Sequence, residues 1–359
     1  MKNGTKPMYQ QISDDLKRQI ATGELAVGAK LPTEMELTKV YQVSRITTKR
    51  AVEILAEDGL IIRRPGRGSF VLGEPQKHER KQTAMFGAVV AGIAAPFGQC
   101  LIETLSEEVW EREGSLLLLQ SHGKPDLEAD AILKLKQLDV DGLLIWPSAG
   151  EYLGAEILQL IVDRYPFVLI DRQVKGMETK SVGTNNVKMT KEALAYLFSQ
   201  GHRDIGFVSM EPSFNSSVEE RLEGFIESHA DQGIAIQREA WLVDAKTDLL
   251  HEQLVDLLQR NPTLTALFVT EYELAVRVWE SLQSLGYRLP IDISLICFDS
   301  PEELAGGVCF THVKQDEVAI AKEAVALLKR AIEGDAKPER VLLDGELVLG
   351  DTVVAVRKQ

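Results

Sequence analysis

The sequence predicts two folding units of different class, a small α+β head and a larger α/β unit built on parallel sheets. Three observations carry this reading. Residues 1–80 hold 14 Lys and Arg against 10 Asp and Glu, a net of +4, whereas residues 81–359 hold 26 against 44, a net of −18. Apolar residues in the first seventy positions recur at helical spacing and then give way to two short β-like runs around a Pro-Gly turn. Beyond residue 84, short apolar runs alternate with amphipathic stretches, the pattern of strands and helices in turn. A chain of 359 residues also exceeds what one compact core usually organises.

The head reads in order. Tyr9, Ile12, Leu16 and Ile20 step by three and four along one helix face, and Gly23 ends that helix. Thr33 followed three residues later by Glu36 has the form of a capping box, opening a short helix to about Tyr41 with Leu37 and Val40 expected inside. Ser44 caps a third helix reaching about Asp58, with Ala51, Val52 and Leu55 on its apolar face. Two short helices with a three-residue link form a helix-turn-helix. Arg45, Thr47, Thr48, Lys49 and Arg50 crowd the first half of the third helix, the end that such folds insert into the major groove. Residues 60–64 and 69–71 read as two strands. The turn between them carries Gly66, Arg67 and Gly68. Glycines let backbone approach a partner closely, and an arginine at such a tip suits a narrow minor groove. Three helices and a basic hairpin make a winged helix-turn-helix.

Residues 7–71 resemble the DNA-binding domain of the GntR family. The matching stretches are Pro7 to Ile12, Gly28 to Glu34, Val43 to Thr47 and Gly66 to Val71. The resemblance implies base and phosphate contacts from Thr33, Glu34, Ser44, Arg45, Thr47, Thr48 and Lys49, with Arg67 at the wing. Lys49 stands where that family usually has arginine, and a point donor replaces a bidentate fork there.

Residues 75–84 are polar, charged and aperiodic, and are expected to link a head of residues 1–74 to a unit of residues 85–359. In the latter, strands are expected at 86–91, 116–119, 142–145, 167–170, 205–208, 266–269 and 293–298. Helices are expected at 101–110, 128–138, 188–199, 221–230, 251–259, 273–285 and 316–332. Parallel sheets of this kind bind ligands at the carboxyl ends of their strands.

The order of short motifs in this unit resembles the LacI family, whose effector domain is like a periplasmic sugar-binding protein. The stretches are Val140 to Leu144, Pro166 to Arg172, Gly201 to Gly206, Glu220 to Phe225, Pro290 to Asp299 and Val313 to Asp316. A GntR-type head on such a unit is the arrangement of AraR-type arabinose repressors. The resemblance implies a two-lobed, periplasmic-binding-protein-like fold with a cleft, and homodimerisation through that unit. It places Phe97 and Trp146 where they would cover the apolar face of a sugar, although both also suit a core. It gives Ser217 and Arg221 the part of donors, Asp299 the part of a double acceptor, and Gln315 a place near a crossover. His122 is a weaker candidate, and His202 is expected to order a loop. Glu271-Tyr272 stands where the family commonly has Asn-Asp. Glu271 thus adds negative charge, which disfavours a phosphorylated or acidic effector and favours a neutral polyol or a cation.

The function expected is a transcriptional regulator, most simply a repressor, binding double-stranded operator DNA under the control of a small sugar-like effector. Alternatives are the same architecture sensing a nucleobase or other metabolite, and an architectural DNA binder with a vestigial sensor. No nucleotide-cradling glycine loop, catalytic triad or metal-ligand cluster stands out, so neither an enzyme nor a cofactor or metal is expected. Cys100, Cys297 and Cys309 are scattered, which fits a reducing compartment. With no long apolar run and no leader-like first ten residues, the expectation is a cytoplasmic protein without a membrane partner.

Overall fold

The computed structural model describes residues 6–58, 60–64, 68–72, 84–93, 96–148, 154–173, 177–210, 215–301 and 308–356. Contacts divide the chain into two units, Met1–Gln82 and Thr83–Gln359.

The smaller unit comprises α1 (Met8–Ala21), α2 (Glu34–Tyr41), α3 (Arg45–Glu57) and a hairpin of β1 (Ile61–Arg64) and β2 (Gly68–Val71). Both sequence caps form. The Thr33 hydroxyl accepts from the Glu36 backbone N–H while the Glu36 carboxylate accepts from the Thr33 N–H, and Ser44 accepts from the Thr47 N–H. Gln42 in the link adopts a left-handed φ of 51°, which turns α2 into α3. Ile12, Leu16 and Ile20 of α1 pack with Leu37, Val52, Leu55, Ile61 and Val71 in one core. Val40, expected inside, instead lies 71% exposed. An eight-residue helix buries a single stripe, and Leu37 occupies it.

The larger unit is two doubly wound lobes. In chain order it runs β3 (Met85–Val90), α4 (Pro96–Glu111), β4 (Ser115–Gln120), α5 (Pro125–Gln137), β5 (Gly142–Ile145), α6 (Ala155–Val162), β6 (Phe167–Ile170) and β7 (Lys180–Thr184). There follow α7 (Asn186–Ser199), β8 (Ile205–Val208), α8 (Ser216–Asp231), β9 (Trp241–Leu242), α9 (Leu250–Arg260), β10 (Ala266–Val269), α10 (Tyr272–Ser284) and β11 (Ser294–Phe298). The chain ends with β12 (Thr311–Lys314), α11 (Glu317–Ile332), β13 (Glu339–Leu343) and β14 (Glu346–Val348).

Among the described residues, lobe 1 orders its strands β13-β7-β6-β5-β3-β4, all parallel. Helices α4 and α11 cover one face and α5 and α6 the other. Lobe 2 orders its strands β14-β12-β11-β10-β8-β9, parallel except for β14. There α7 and α8 cover one face and α9 and α10 the other. Parallel strands covered on both faces read as near-continuous apolar runs, and 142–145, 167–170, 205–208 and 266–269 form as expected.

The chain crosses between lobes three times, after β7, after β12 and after β13. The crossings are stitched together. Thr184 Oγ1 donates to Gln315 Oε1 at 2.6 Å, and the Asn185 N–H donates to the Leu343 carbonyl at 2.8 Å. Gly345 passes so close to the second crossing that a Cβ would fall 2.4 Å from the Lys314 carbonyl oxygen. Three neighbouring connections, bonded to one another, thus join the two lobes.

Candidate functional site

On the smaller unit, the first turn of α3 is fixed by its cap. Ser44 Oγ lies 2.8 Å from Thr47 Oγ1, which shapes the polar end of the helix. Arg45, Lys49 and Arg50 project from it, the Arg45 side chain 79% exposed. Arg45 Nε lies 3.6 Å from a Glu34 carboxylate oxygen, so the first turns of α2 and α3 present one joint surface. Thr33 is exposed, its hydroxyl on Glu36.

Thr48 is a correction. It is fully buried, and its hydroxyl lies 3.0 Å from the Arg45 carbonyl, 3.2 Å from the Glu34 carbonyl and 3.2 Å from Thr38 Oγ1. It ties α3 to α2 and has no route to DNA. The side chain sits on the inner stripe with Ala51, Val52 and Leu55, three or four residues on. Gly66 and Arg67 lie outside the described residues. Gly68 closes the hairpin at φ +105°, with Lys30 packed against it.

In the larger unit, a cleft of about 370 Å³ opens between the lobes. All seven residues expected to meet an effector line it: Phe97, Trp146, Ser217, Arg221, Glu271, Asp299 and Gln315. The topology explains this. Trp146 follows β5, Glu271 follows β10, Asp299 follows β11 and Gln315 follows β12, all at carboxyl ends of strands.

Phe97 and Trp146 meet edge to face with centroids 5.1 Å apart and belong equally to the core of lobe 1. Trp146 Nε1 is buried and has no hydrogen-bond partner among the described residues. Arg221 is 5% exposed, its guanidinium 3.8 Å from the centre of the Phe298 ring. Its Nε donates to Asn186 Oδ1 at 2.9 Å and one Nη donates to the Thr270 carbonyl. Burial pulls its pKa down, against the pull of Asp299, Asp171 and Glu271.

Asp299 adopts a left-handed φ of 57°, which turns its carboxylate back towards the hinge. Gln315 Nε2 donates to both its oxygens, at 3.0 and 3.1 Å. Burial raises the Asp299 pKa to about 6, with Arg221 and Gln315 opposing. Glu271 is also pushed up by burial, and no hydrogen bond reaches its carboxylate among the described residues. Ser217 does not present its hydroxyl to the cleft alone, because Oγ lies 3.1 Å from Asp171.

Sequence reasoning passed over Asp171 and Arg172, which also line the cleft. The signal was there, since they follow the apolar run 167–170 as Asp299 follows 293–298. Arg172 donates to the Pro147 carbonyl at 2.7 Å and lies 3.6 Å from the Asp171 carboxylate. His122 lines the cleft too. His202 lies apart from it, its ring nitrogens on Thr265 and the Val354 carbonyl, so it orders its loop as expected. Among the described residues no cluster of His, Cys, Asp and Glu could hold a metal, and no helix is long and apolar enough to cross a membrane.

Residues 8–71 match the family of bacterial regulatory proteins called gntR, and residues 194–353 match a periplasmic binding protein-like domain. The chain carries a gntR-type domain in its smaller unit. Its larger unit is the periplasmic-binding-protein-like kind of domain, as the two lobes indicate. The chain is 26% identical over 348 residues to an arabinose metabolism transcriptional repressor of Geobacillus stearothermophilus, covering 93% of each chain. It is 24% identical to a repressor of the same description from Halalkalibacterium halodurans, covering 94% of this chain and 92% of that one. In fold it resembles a putative ribose operon repressor from Burkholderia thailandensis, with a TM-score of 0.66 at 23% identity over 74% of this chain and 99% of that one. It also resembles the transcription regulator CcpA of Lactococcus lactis, with a TM-score of 0.68 at 18% identity over 76% and 99%.

Proposed function

We propose that this regulator binds operator DNA through the first turns of α2 and α3 and the hairpin, and that a sugar-like effector in the cleft sets its affinity for that DNA. The observation that carries the effector reading is the convergence in one cleft of an aromatic pair, Phe97 and Trp146, with Arg221, Asp299 and Gln315. Aromatic faces cover the apolar side of a sugar ring, while guanidinium and carboxylate groups each engage two neighbouring hydroxyls.

The charges narrow the effector class. Asp171, Glu271, Glu273 and Asp299 face the cleft against Arg172 and Arg221. Both arginines already serve protein acceptors. A phosphorylated or acidic sugar would meet this excess of carboxylates, so the cleft suits a neutral polyol or a cation. The repressors named for arabinose metabolism make L-arabinose the first sugar to try.

The coupling is thermodynamic. In a homodimer two heads would meet two half-sites, and closing the clefts would alter how those heads seat. If one arrangement fits DNA better, effector and operator affinities are linked reciprocally. Calorimetry against neutral sugars and their phosphates, with operator binding followed in parallel, tests the reading. Neutral sugars should bind, and Arg221→Ala should abolish the response while leaving operator binding intact. Binding of phosphorylated sugars alone would refute the effector class.

A further inference from the structure

We propose that Ile46 reads a base, its side chain meeting the 5-methyl group of a thymine in the major groove. This rests on the reading of the smaller unit as a DNA-binding head. Ile46 is the second residue of α3 and 81% exposed. A single exposed apolar residue on an ordinary surface needs no explanation. This one has a particular setting. Lys49 and Arg50 follow it at three and four residues, on the same face of the helix, and Arg45 precedes it. The opposite face, Thr48, Ala51, Val52 and Leu55, is buried. Ile46 is therefore the exposed apolar residue of a basic first turn, whose Lys49 and Arg50 also meet Glu53 one turn on and whose Arg45 meets Glu34.

The other exposed apolar residues of α2 and α3 lack that setting. Met35 stands 69% exposed between Glu34 and Glu36 in the acidic first turn of α2, and Val40 lies on the last turn. The first turn of α3 carries no acid. Phosphates are drawn to the basic α3 part of the joint surface of α2 and α3.

Chemistry selects the partner. Of the groups in the major groove only the thymine methyl is apolar, and apolar side chains read it by contact. Ile46 is suited to this. Its β-branch confines χ1 to one rotamer in a helix, and the Ser44 cap on the Thr47 N–H at 3.3 Å fixes the turn that carries it. An isoleucine so exposed adds nothing to the packing of the head.

Selection of duplexes from a random pool by the full-length protein and by Ile46→Ala tests this. Alanine is the better helix former, so the variant should keep its thermal midpoint. The wild-type site should contain a thymine that the variant no longer requires. Replacing that thymine by deoxyuridine removes the methyl alone and should weaken wild-type binding about fourfold per methyl, the loss of one buried carbon. Ile46→Ala should bind both duplexes equally. Equal wild-type binding of thymine and deoxyuridine at every position, or the same loss in Ile46→Ala, would overturn the proposal. A pool with no enriched sequence would overturn the DNA-binding reading itself and this assignment with it.

Discussion

Ser217 Oγ lies 3.1 Å from both the carbonyl oxygen and a carboxylate oxygen of Asp171, so the first turn of α8 in lobe 2 is bonded to the end of β6 in lobe 1. The bond has neighbours. The Gln173 N–H donates to Ser216 Oγ at 2.8 Å, Gln173 Nε2 donates to Glu220 at 3.0 Å, and Arg340 donates to the same carboxylate. Glu220 also accepts from Asn186 Nδ2 at 3.1 Å, beside the first crossing. These bonds latch the two lobes together on the α8 side.

The latch predicts that Glu220→Gln weakens effector binding without removing a cleft-lining group. Glu220 does not line the cleft, and the variant keeps the shape while discarding the charge that Arg340 meets. Charged hydrogen bonds are worth about 1.5–3 kcal/mol, so a loss of affinity on the order of tenfold is expected. Calorimetry with the effector measures it, and unaltered affinity would show that the latch plays no part in closure.

Thr48 leads to a stability prediction. Its hydroxyl meets the carbonyls of Glu34 and Arg45 inside the head. Thr48→Val should cost about 1–3 kcal/mol of head stability through unmatched buried acceptors. Operator affinity measured well below the unfolding midpoint should stay within about twofold, since no DNA contact is removed. A large loss of affinity in a fully folded variant would restore Thr48 to the interface.

The pH dependence follows from Asp299. Burial raises its pKa from 3.8 to about 6, so the folded protein binds its proton more readily than the unfolded chain does. The unfolded chain then holds fewer protons, and this group's contribution to stability falls as pH rises between about 4 and 6. Glu317, pushed up to about 7 by burial, extends the fall. Effector binding should run the other way, because hydroxyls need the ionised carboxylate as acceptor. Affinity should rise from pH 5 to pH 7, and Asp299→Asn should flatten that rise and the part of the stability profile between about pH 4 and 6, leaving the part due to Glu317. Parallel slopes in wild type and variant would assign the dependence elsewhere.

Gly224 sits where α8 crosses α7, and a Cβ there would fall 2.6 Å from the Val187 carbonyl oxygen and 3.1 Å from Val187 Cα. The obstacle is backbone and cannot swing aside. Gly224→Ala should destabilise the larger unit by about 1–3 kcal/mol, despite the better helix propensity of alanine. Chemical denaturation reads the shift, and an unchanged midpoint would mean that the two helices separate easily.

Much of this architecture was legible because apolar runs of four or five residues, alternating with amphipathic stretches, read as strands buried on both faces. What escaped was polar or context-dependent. β7 reads Lys-Ser-Val-Gly-Thr and is nonetheless buried throughout, with the Lys180 amine on Asp335 at 2.8 Å. β13 alternates at the sheet edge, and β9 is two residues long. Motif order brought together all seven cleft residues expected. It did not show that Ser217 is turned to Asp171, because that bond depends on how the two lobes meet. Val40 lies outside because the eight-residue α2 buries one stripe, and Thr48 lies inside because its spacing to Ala51, Val52 and Leu55 outweighs its polarity once the carbonyls of Glu34 and Arg45 take its hydroxyl.

The central claim is that capture of a ligand in the cleft and binding of DNA by the head are linked. The most direct test is a reciprocity measurement on the full chain. Operator affinity is titrated with and without saturating effector, and effector affinity with and without operator. The account predicts that both change, and by the same factor. An effector that binds in the cleft yet leaves operator affinity unchanged would contradict it.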